Sequence, residues 1–315
     1  MLCASAACPA VLPRCSVRQF FLRAVGLIRC WQTWLVPSAS CVDLKVFSMG
    51  LFVLFWCLPI SSLANGIGQL PPCPAESDAG ADRTWDGWEL AKAIPAAEAH
   101  QAAAADERFL FAVSSTQIAK YERGTGQRVA VSTGPAKHLN SGFFWNNKLL
   151  CAHSNYPAVP EISEIKALDP QAMTLSTFHH FHDYGGSLTW VVRHRQRWWC
   201  NFALYGDRNA ETFLACFDDD WKELQRWTYP PQVIAQLGNY SLSGGLWRND
   251  VLLTTDHDHG RLYRLKLPAS GSVLQFDGVE AVPFTGQGFA ADPLTGGLIG
   301  IHRGRRQLLL IRPSD

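Results

Sequence analysis

Beyond its first 64 residues the chain lacks any surplus of positive charge. The 315 residues hold 28 Lys and Arg against 27 Asp and Glu, but five basic side chains and only one acidic one precede Asn65. The remainder carries 23 basic and 26 acidic residues, a formal charge of −3. Such a surface has nothing to neutralise a phosphate backbone, so nucleic acid is excluded as an expected partner. Charge of either sign is scarce, at 17%, while the hydrophobic set reaches 47%, which excludes wholesale disorder and allows a large core. Cysteine thins out as well. Six of the ten lie in residues 1–64, leaving Cys73, Cys151, Cys200 and Cys216. No C-x-x-C or Cys/His zinc spacing occurs. No G-x-S-x-G elbow marks a hydrolase nucleophile. Long helical periodicity is scarce from residue 84 onward, which excludes a helical bundle.

The front of the chain holds one long apolar run, "VFSMGLFVLFWCLPISSLA" (46–64), ending in small residues before Asn65. A basic flank, an apolar centre and a small-residue end describe a secretory signal peptide. The 43 residues before it are expected to lie outside the mature protein, with the true start at Leu44, read as an alternative initiator, or at Met49. The competing reading is a membrane anchor, for which the run is barely long enough and is interrupted by Pro59. The signal at 44–64 predicts a periplasmic or secreted protein that meets the membrane only through that segment. An oxidising compartment permits disulfides, and Cys200 and Cys216, flanking one expected hairpin turn, are candidates for a bridge. Residues 65–83, rich in Pro, Gly, Ala and Asp, read as a linker.

From residue 84 to 315, short runs of β-formers such as "RFLFAVS", "KLLCAHS", "RWWCNFALY", "VLLTTD" and "QLLLIRP" are separated by Gly, Asn, Asp and Pro. Turn anchors recur at Asp106, Asn146, His194, Asn249 and Asp292, with spacings of 40, 48, 55 and 43. Four short strands per 40–50 residues predict an all-β propeller. Five blades are expected, over 96–137, 138–183, 184–238, 239–284 and 285–315; six are expected only if an irregular stretch hides one. The fifth unit lacks its outer strand. "WELAKAIPAAEAHQ" resembles "RVAVSTGPAKHLNS" at the junction of units one and two, so residues 87–94 are predicted to close the ring and remove an open edge.

In this topology the loops from strand two to three, and from strand four to the next strand one, share one face. That face would gather "AHSNYP", "DHDH" and "HRG" with His100-Gln101, His138-Leu139-Asn140-Ser141 and Gly286-Gln287. A rigid scaffold presenting varied polar loops is where a site is expected. His153 and His257 are candidate proton-transfer groups, imidazole being suited to neutral pH. Candidate ligand-binding residues are His138, Asn140, Asn155, Tyr156, Asp258, Gln287, His302 and Arg303. Arg303 can clamp a carboxylate bidentately. In "TTDHDHG" (254–260), two histidines at i and i+2 of an extended segment point the same way. His257, His259 and His153 are therefore candidate ligands for a divalent metal. The competing reading makes Asp256 and Asp258 turn caps and nothing more. "HHFH" (His179, His180, His182) reads as a strand edge rather than a metal site. Trp190, Trp198 and Trp199 read as packing between blades, with a sugar-stacking platform as the other reading.

The phrases "HLNSG" (138–142), "CAHSNYP" (151–157), "GSLTW" (186–190), "SLSGGLW" (241–247), "DHDHGRLYRLKLP" (256–268) and "GQGFAAD" (286–292) resemble exported bacterial β-propeller proteins labelled cycloisomerase-like. The resemblance spans about residues 96–315. It implies the propeller fold and puts His138, His153, His257 and Arg303 on the ligand face. Muconate-cyclising propellers, from which the label descends, look like seven-bladed proteins, whereas five units are visible here. Two functions are therefore expected in parallel. One is a cycloisomerase- or lactonase-type enzyme acting on a small polar or carboxylated molecule in the channel. The other is a non-catalytic module that binds a sugar or peptide, or an envelope scaffold.

Overall fold

The computed structural model describes residues 84–85 and 87–314. The signal at 44–64, the residues before it and the linker with Cys73 lie outside the described residues. The chain opens with β1 (Thr84–Trp85) and β2 (Trp88–Pro95), then forms blade one from β3 (Ala102–Ala105), β4 (Phe109–Val113), β5 (Ile118–Glu122) and β6 (Arg128–Val131). Blade two is β7 (His138–Trp145), β8 (Lys148–Ser154), β9 (Ser163–Asp169) and β10 (Thr174–His182). Blade three is β11 (Ser187–His194), β12 (Arg197–Ala203), β13 (Phe213–Phe217) and β14 (Glu223–Thr228). A short helix α1 (Pro231–Ile234) precedes blade four, β15 (Gly244–Arg248), β16 (Val251–Thr255), β17 (Arg261–Lys266) and β18 (Gln275–Ala281). Blade five takes β19 (Ala290–Ala291), β20 (Leu298–His302) and β21 (Gln307–Pro313) from the C-terminal end, and its sheet runs β19-β20-β21-β2-β1. The fold is thus a five-bladed β-propeller, and the N-terminal strand closes the ring as the sequence predicts.

Turn chemistry explains the blade edges. Asn146 and Asn147, Arg195 and Gln196, and Asn249 and Asp250 are consecutive pairs at positive φ. This is the two-residue I′ turn whose twist matches antiparallel strands. Asp106 caps its own turn, accepting from the backbone N–H groups of Arg108 (2.7 Å) and Phe109 (2.6 Å). The core is divided among the interfaces between neighbouring blades. Trp190, Trp198 and Trp199 are all buried, Trp198 with its ring 5.0 Å from that of Trp145 on blade two. They pack between blades and present no stacking platform to solvent.

Inner strands are stitched together at the axis. Gly288 and Ala102 pair directly, Gly288 N donating to Gln101 O (2.9 Å) and Ala103 N to Gly288 O (3.2 Å). A Cβ on Gly288 would meet Ala102 Cβ at 2.6 Å and Ser141 Cα at 2.8 Å, so only glycine lets blades five, one and two meet there. Elsewhere side chains satisfy the inner carbonyls: Asn140 Nδ2 donates to Leu188 O (3.4 Å), and Thr189 Oγ1 to Leu242 O (2.7 Å). The expectation of a Cys200–Cys216 bridge is overturned. Cys200 pairs with Ala215 and Cys216 with Trp199, so a one-residue offset turns the two thiols to opposite faces of the sheet. Both are free.

Candidate functional site

The "TTDHDHG" loop answers to Asp256. Its carboxylate is buried and caps the bend, Oδ1 accepting from the N–H groups of Asp258 (3.1 Å) and His259 (2.8 Å). Its Oδ2 accepts from Tyr263 Oη (3.1 Å) and lies 2.9 Å from His259 Nδ1. Residues 257–260 are bends rather than extended strand, so the i and i+2 imidazoles diverge. His259 folds back on Asp256, and that pairing pushes its pKa upward. His257 turns to the mouth of the ring instead, stacked on Tyr240 with ring centres 3.9 Å apart. The metal candidates His257, His259 and His153 are not brought together. Among the described residues no group of three or more His, Cys, Asp or Glu side chains is placed to hold a metal ion.

His257 belongs to a different constellation, built by the β16–β17 and β20–β21 loops and the β2–β3 connection. Arg303, on the β20–β21 loop, points one guanidinium nitrogen at His257 Nε2 (3.0 Å) and another at His100 Nε2 (3.1 Å). A guanidinium only donates, so both Nε2 atoms accept and both rings are neutral at those nitrogens. That assigns the proton of His257 to Nδ1, which lies 2.6 Å from Asp258 Oδ1. Burial holds His257 below its usual pKa despite the raising influence of Asp258. Burial, followed by the charges of Arg303 and Arg306, drives His100 down to about 4. His138 is lowered by burial and then by the charges of His257 and Arg303. Arg303 itself has no carboxylate partner among the described residues. Its backbone is anchored by donation to Thr285 Oγ1 (2.8 Å). A cavity of about 460 Å³ opens beside it, lined by His100, Asp258, Thr285, Arg303, Gly304 and Arg306.

The other expected residues fall into supporting positions. Gln287 Nε2 donates to His257 O (2.6 Å), fixing the loop that carries the imidazole. Asn140 is buried against Leu188, as described above. Asn155 closes its own loop, Nδ2 donating to Pro160 O (2.9 Å) and Oδ1 accepting from Ile162 N (2.8 Å). Tyr156 packs its edge on His138 (5.3 Å) and tilts against Tyr205 (5.0 Å). His302 Nδ1 accepts from Arg305 N (3.2 Å) at the hairpin beside the cavity. His180 and His182 do meet, ring centres 4.0 Å apart, while His179 stacks on Trp221 at 4.0 Å. His100, Arg306, Tyr205 and Tyr240 were not signalled as site residues by their sequence neighbourhoods. Only the position of His100 in a fourth-to-first loop pointed to it.

His153 is buried beneath the loops and does not line the cavity. Its Nε2 accepts from Lys137 N (2.9 Å), so the ring proton sits on Nδ1. That atom lies 3.0 Å from Glu164 Oε1, directly opposite in the β8–β9 register but off the line of a good hydrogen bond. Lys166 Nζ completes the group, 2.8 Å from Glu164 and 3.0 Å from Thr177 Oγ1. Burial is the largest influence on His153 and takes it to about 4. His179 is likewise driven to about 4 by burial.

These depressions have a consequence for stability. His100, His153 and His179 bind fewer protons folded than unfolded below the ordinary imidazole pKa of 6.5. Their contribution to stability is therefore full above about pH 6.5 and is lost as pH falls toward 4. The lowered carboxyls of Glu164, Glu98 and Asp292 carry the loss further at still lower pH. Thermal melts should show a steady fall in Tm from pH 6.5 to 4. A Tm unchanged at pH 5 contradicts the burial of these neutral rings.

A larger recess, about 930 Å³, lies on the opposite face among Phe109, Phe143, Phe144 and Trp145. Three of its charged groups hold turns: Asp106 and Asp169 cap their own hairpins, and Lys120 Nζ donates to Pro170 O (2.7 Å). The convergent polar groups are at the other mouth. No protein-family model matches the chain, and no curated protein aligns with it significantly. Fold and site together define the class: a five-bladed β-propeller with a guanidinium–imidazole cluster at one mouth.

Proposed function

We infer that this mouth binds a small carboxylate-bearing ligand at Arg303. The observation that carries the reading is a guanidinium held by two neutral imidazoles, without a carboxylate partner among the described residues, beside an open cavity. An arginine fork satisfied by nothing negative matches the geometry of an incoming carboxylate. Arg306 adds positive charge on the same rim.

The arrangement also supports proton transfer. When a ligand carboxylate draws Arg303 toward itself, His257 Nε2 is released as a base. Asp258 meanwhile holds Nδ1–H and fixes the tautomer, as an orienting carboxylate does in other His-dependent sites. A cycloisomerase- or lactonase-type reaction needs such a base next to a bound carboxylate. His257 carries that role in this reading; His153, enclosed by Glu164 and Lys137, does not. A second reading, a non-catalytic receptor for a small anion, sugar or peptide, is favoured by the cavity lining, whose one hydroxyl, Thr285 Oγ1, already accepts from Arg303 N. The compartment proposed for either is outside the cytoplasm, on the strength of the apolar stretch at 46–64.

A panel of lactones and unsaturated carboxylates separates the two. For the enzyme, turnover by the natural chain should fall about 10²–10⁴-fold in His257→Gln while carboxylate affinity is kept. Binding without turnover of any panel member selects the receptor. Absence of both refutes the carboxylate reading.

A further inference from the structure

Tyr240, 43% exposed, is an aromatic ring with no core to fill. It sits on the connection from α1 to β15, between the buried residues Leu237 and Ser241. The backbone around it is pinned to the β12–β13 loop. Gly206 N donates to Asn239 O (3.1 Å), Asn209 Nδ2 donates to Gly238 O (2.6 Å), and Ser241 Oγ lies 3.0 Å from Thr212 Oγ1. What the ring meets is His257, face to face, with centres 3.9 Å apart and planes 17° from parallel. His257 needs such a support. It lies on the bend at 257–260, where no strand ladder fixes the side chain. Its Nδ1–H goes to Asp258 Oδ1 (2.6 Å), on a half-exposed carboxylate for which water competes. Its Nε2 accepts from Arg303 (3.0 Å), and this is the contact that a ligand carboxylate would draw away. The Tyr240 stack survives both challenges.

We propose that Tyr240 is a positioning residue for His257: stacked on the imidazole, it keeps Nδ1–H on Asp258 and Nε2 at the mouth when Arg303 turns to a bound carboxylate. Two flat rings in contact over their faces resist rotation of either one. The stack uses the tyrosine ring and not its hydroxyl, so phenylalanine can replace it. Tyr240 also covers one face of the imidazole from water, which adds to the burial that holds the His257 pKa down. The charges acting on His257 are Asp258 and Asp256 on its own loop and Arg303 on the β20–β21 loop. Among neutral imidazoles, His100 shares Arg303 with it and His138 acts on it from β7. The kinetic consequence rests on the proposed role of His257 as base; the orienting role stands on the geometry alone.

Tyr240→Ala and Tyr240→Phe separate positioning from plain packing. Both alter an exposed ring on a pinned loop, so the fold stays intact, and unchanged Tm values verify this. Histidine NMR of the natural chain should show a slowly exchanging Nδ1–H on His257, with Nε2 as the acceptor nitrogen. Tyr240→Phe should keep both features. Tyr240→Ala should lose the protected Nδ1–H and let the His257 pKa climb toward the ordinary imidazole value. With any lactone or unsaturated carboxylate that is turned over, Tyr240→Ala should lower kcat about tenfold, as for a misplaced reacting group. KM should stay unchanged, because Arg303 still holds the carboxylate, and Tyr240→Phe should restore kcat. The same Nδ1–H exchange and the same His257 pKa in Tyr240→Ala as in the natural chain overturn the proposal. So does a Tyr240→Phe chain that behaves like Tyr240→Ala. Absence of carboxylate binding by all three chains, with the NMR differences intact, upholds the positioning role and defeats the Arg303 reading.

Discussion

Replacing Arg303 by alanine should lower carboxylate affinity about 100-fold and leave the fold untouched. The side chain is half-buried and donates to two imidazole nitrogens that water can reach once it is gone. Its backbone contacts, to Thr285 Oγ1 and Arg306 N, survive truncation. The stability cost is therefore within about 0.5 kcal/mol, as for a surface change that leaves no buried group unpaired. The binding cost is larger. A hydrogen bond to a charged group contributes about 1.5–3 kcal/mol, so loss of the fork removes roughly 3 kcal/mol, or two powers of ten in Kd. Arg303→Lys keeps the charge without the planar fork and should fall between the two. Calorimetry with mono- and dicarboxylates, paired with thermal melts, checks all three chains. Equal affinity of natural and Arg303→Ala chains removes Arg303 from the site.

A chain beginning at residue 96 should fail to fold, whereas one beginning at 84 should fold normally. β2 pairs with β21 along its whole length, from Trp88↔Pro313 to Pro95↔Gln307. It also buries Trp88 and Ile94. Burial of two such side chains contributes about 4 kcal/mol, and the ladder adds about 1 kcal/mol per hydrogen bond. Their sum approaches the roughly 5–15 kcal/mol that holds a typical domain together. The exposed β21 edge, Leu308-Leu309-Leu310-Ile311, would then invite pairing with other chains. Circular dichroism and sedimentation should report a soluble β protein for 84–315 and aggregate for 96–315. A 96–315 chain melting within a few degrees of the longer one contradicts closure by β2.

The blades were readable because period-two apolar runs and Asn, Asp and Gly turns recur at propeller spacing. The I′ turn at Arg195-Gln196 was located by its flanking strands, since neither residue is an ordinary turn former. The shared face followed from topology, which is why His257, Asp258 and Arg303 are neighbours in the structure. What spacing does not reveal is anything set by register or by local curvature. One residue of offset separates Cys200 from Cys216, a bend at 257–260 splits His257 from His259, and cross-strand pairing with Glu164 buries His153. Tyr205 and Tyr240 escaped notice because their importance lies in which loops they meet, and loop contacts leave no trace in spacing.

Imidazole signals followed by NMR during titration with a dicarboxylate test the anion pocket most directly. His100 and His257 should shift together and their pKa values should rise as negative charge settles on Arg303, while buried His153 and distant His179 stay still. A dicarboxylate that binds yet moves neither His100 nor His257 would contradict the account.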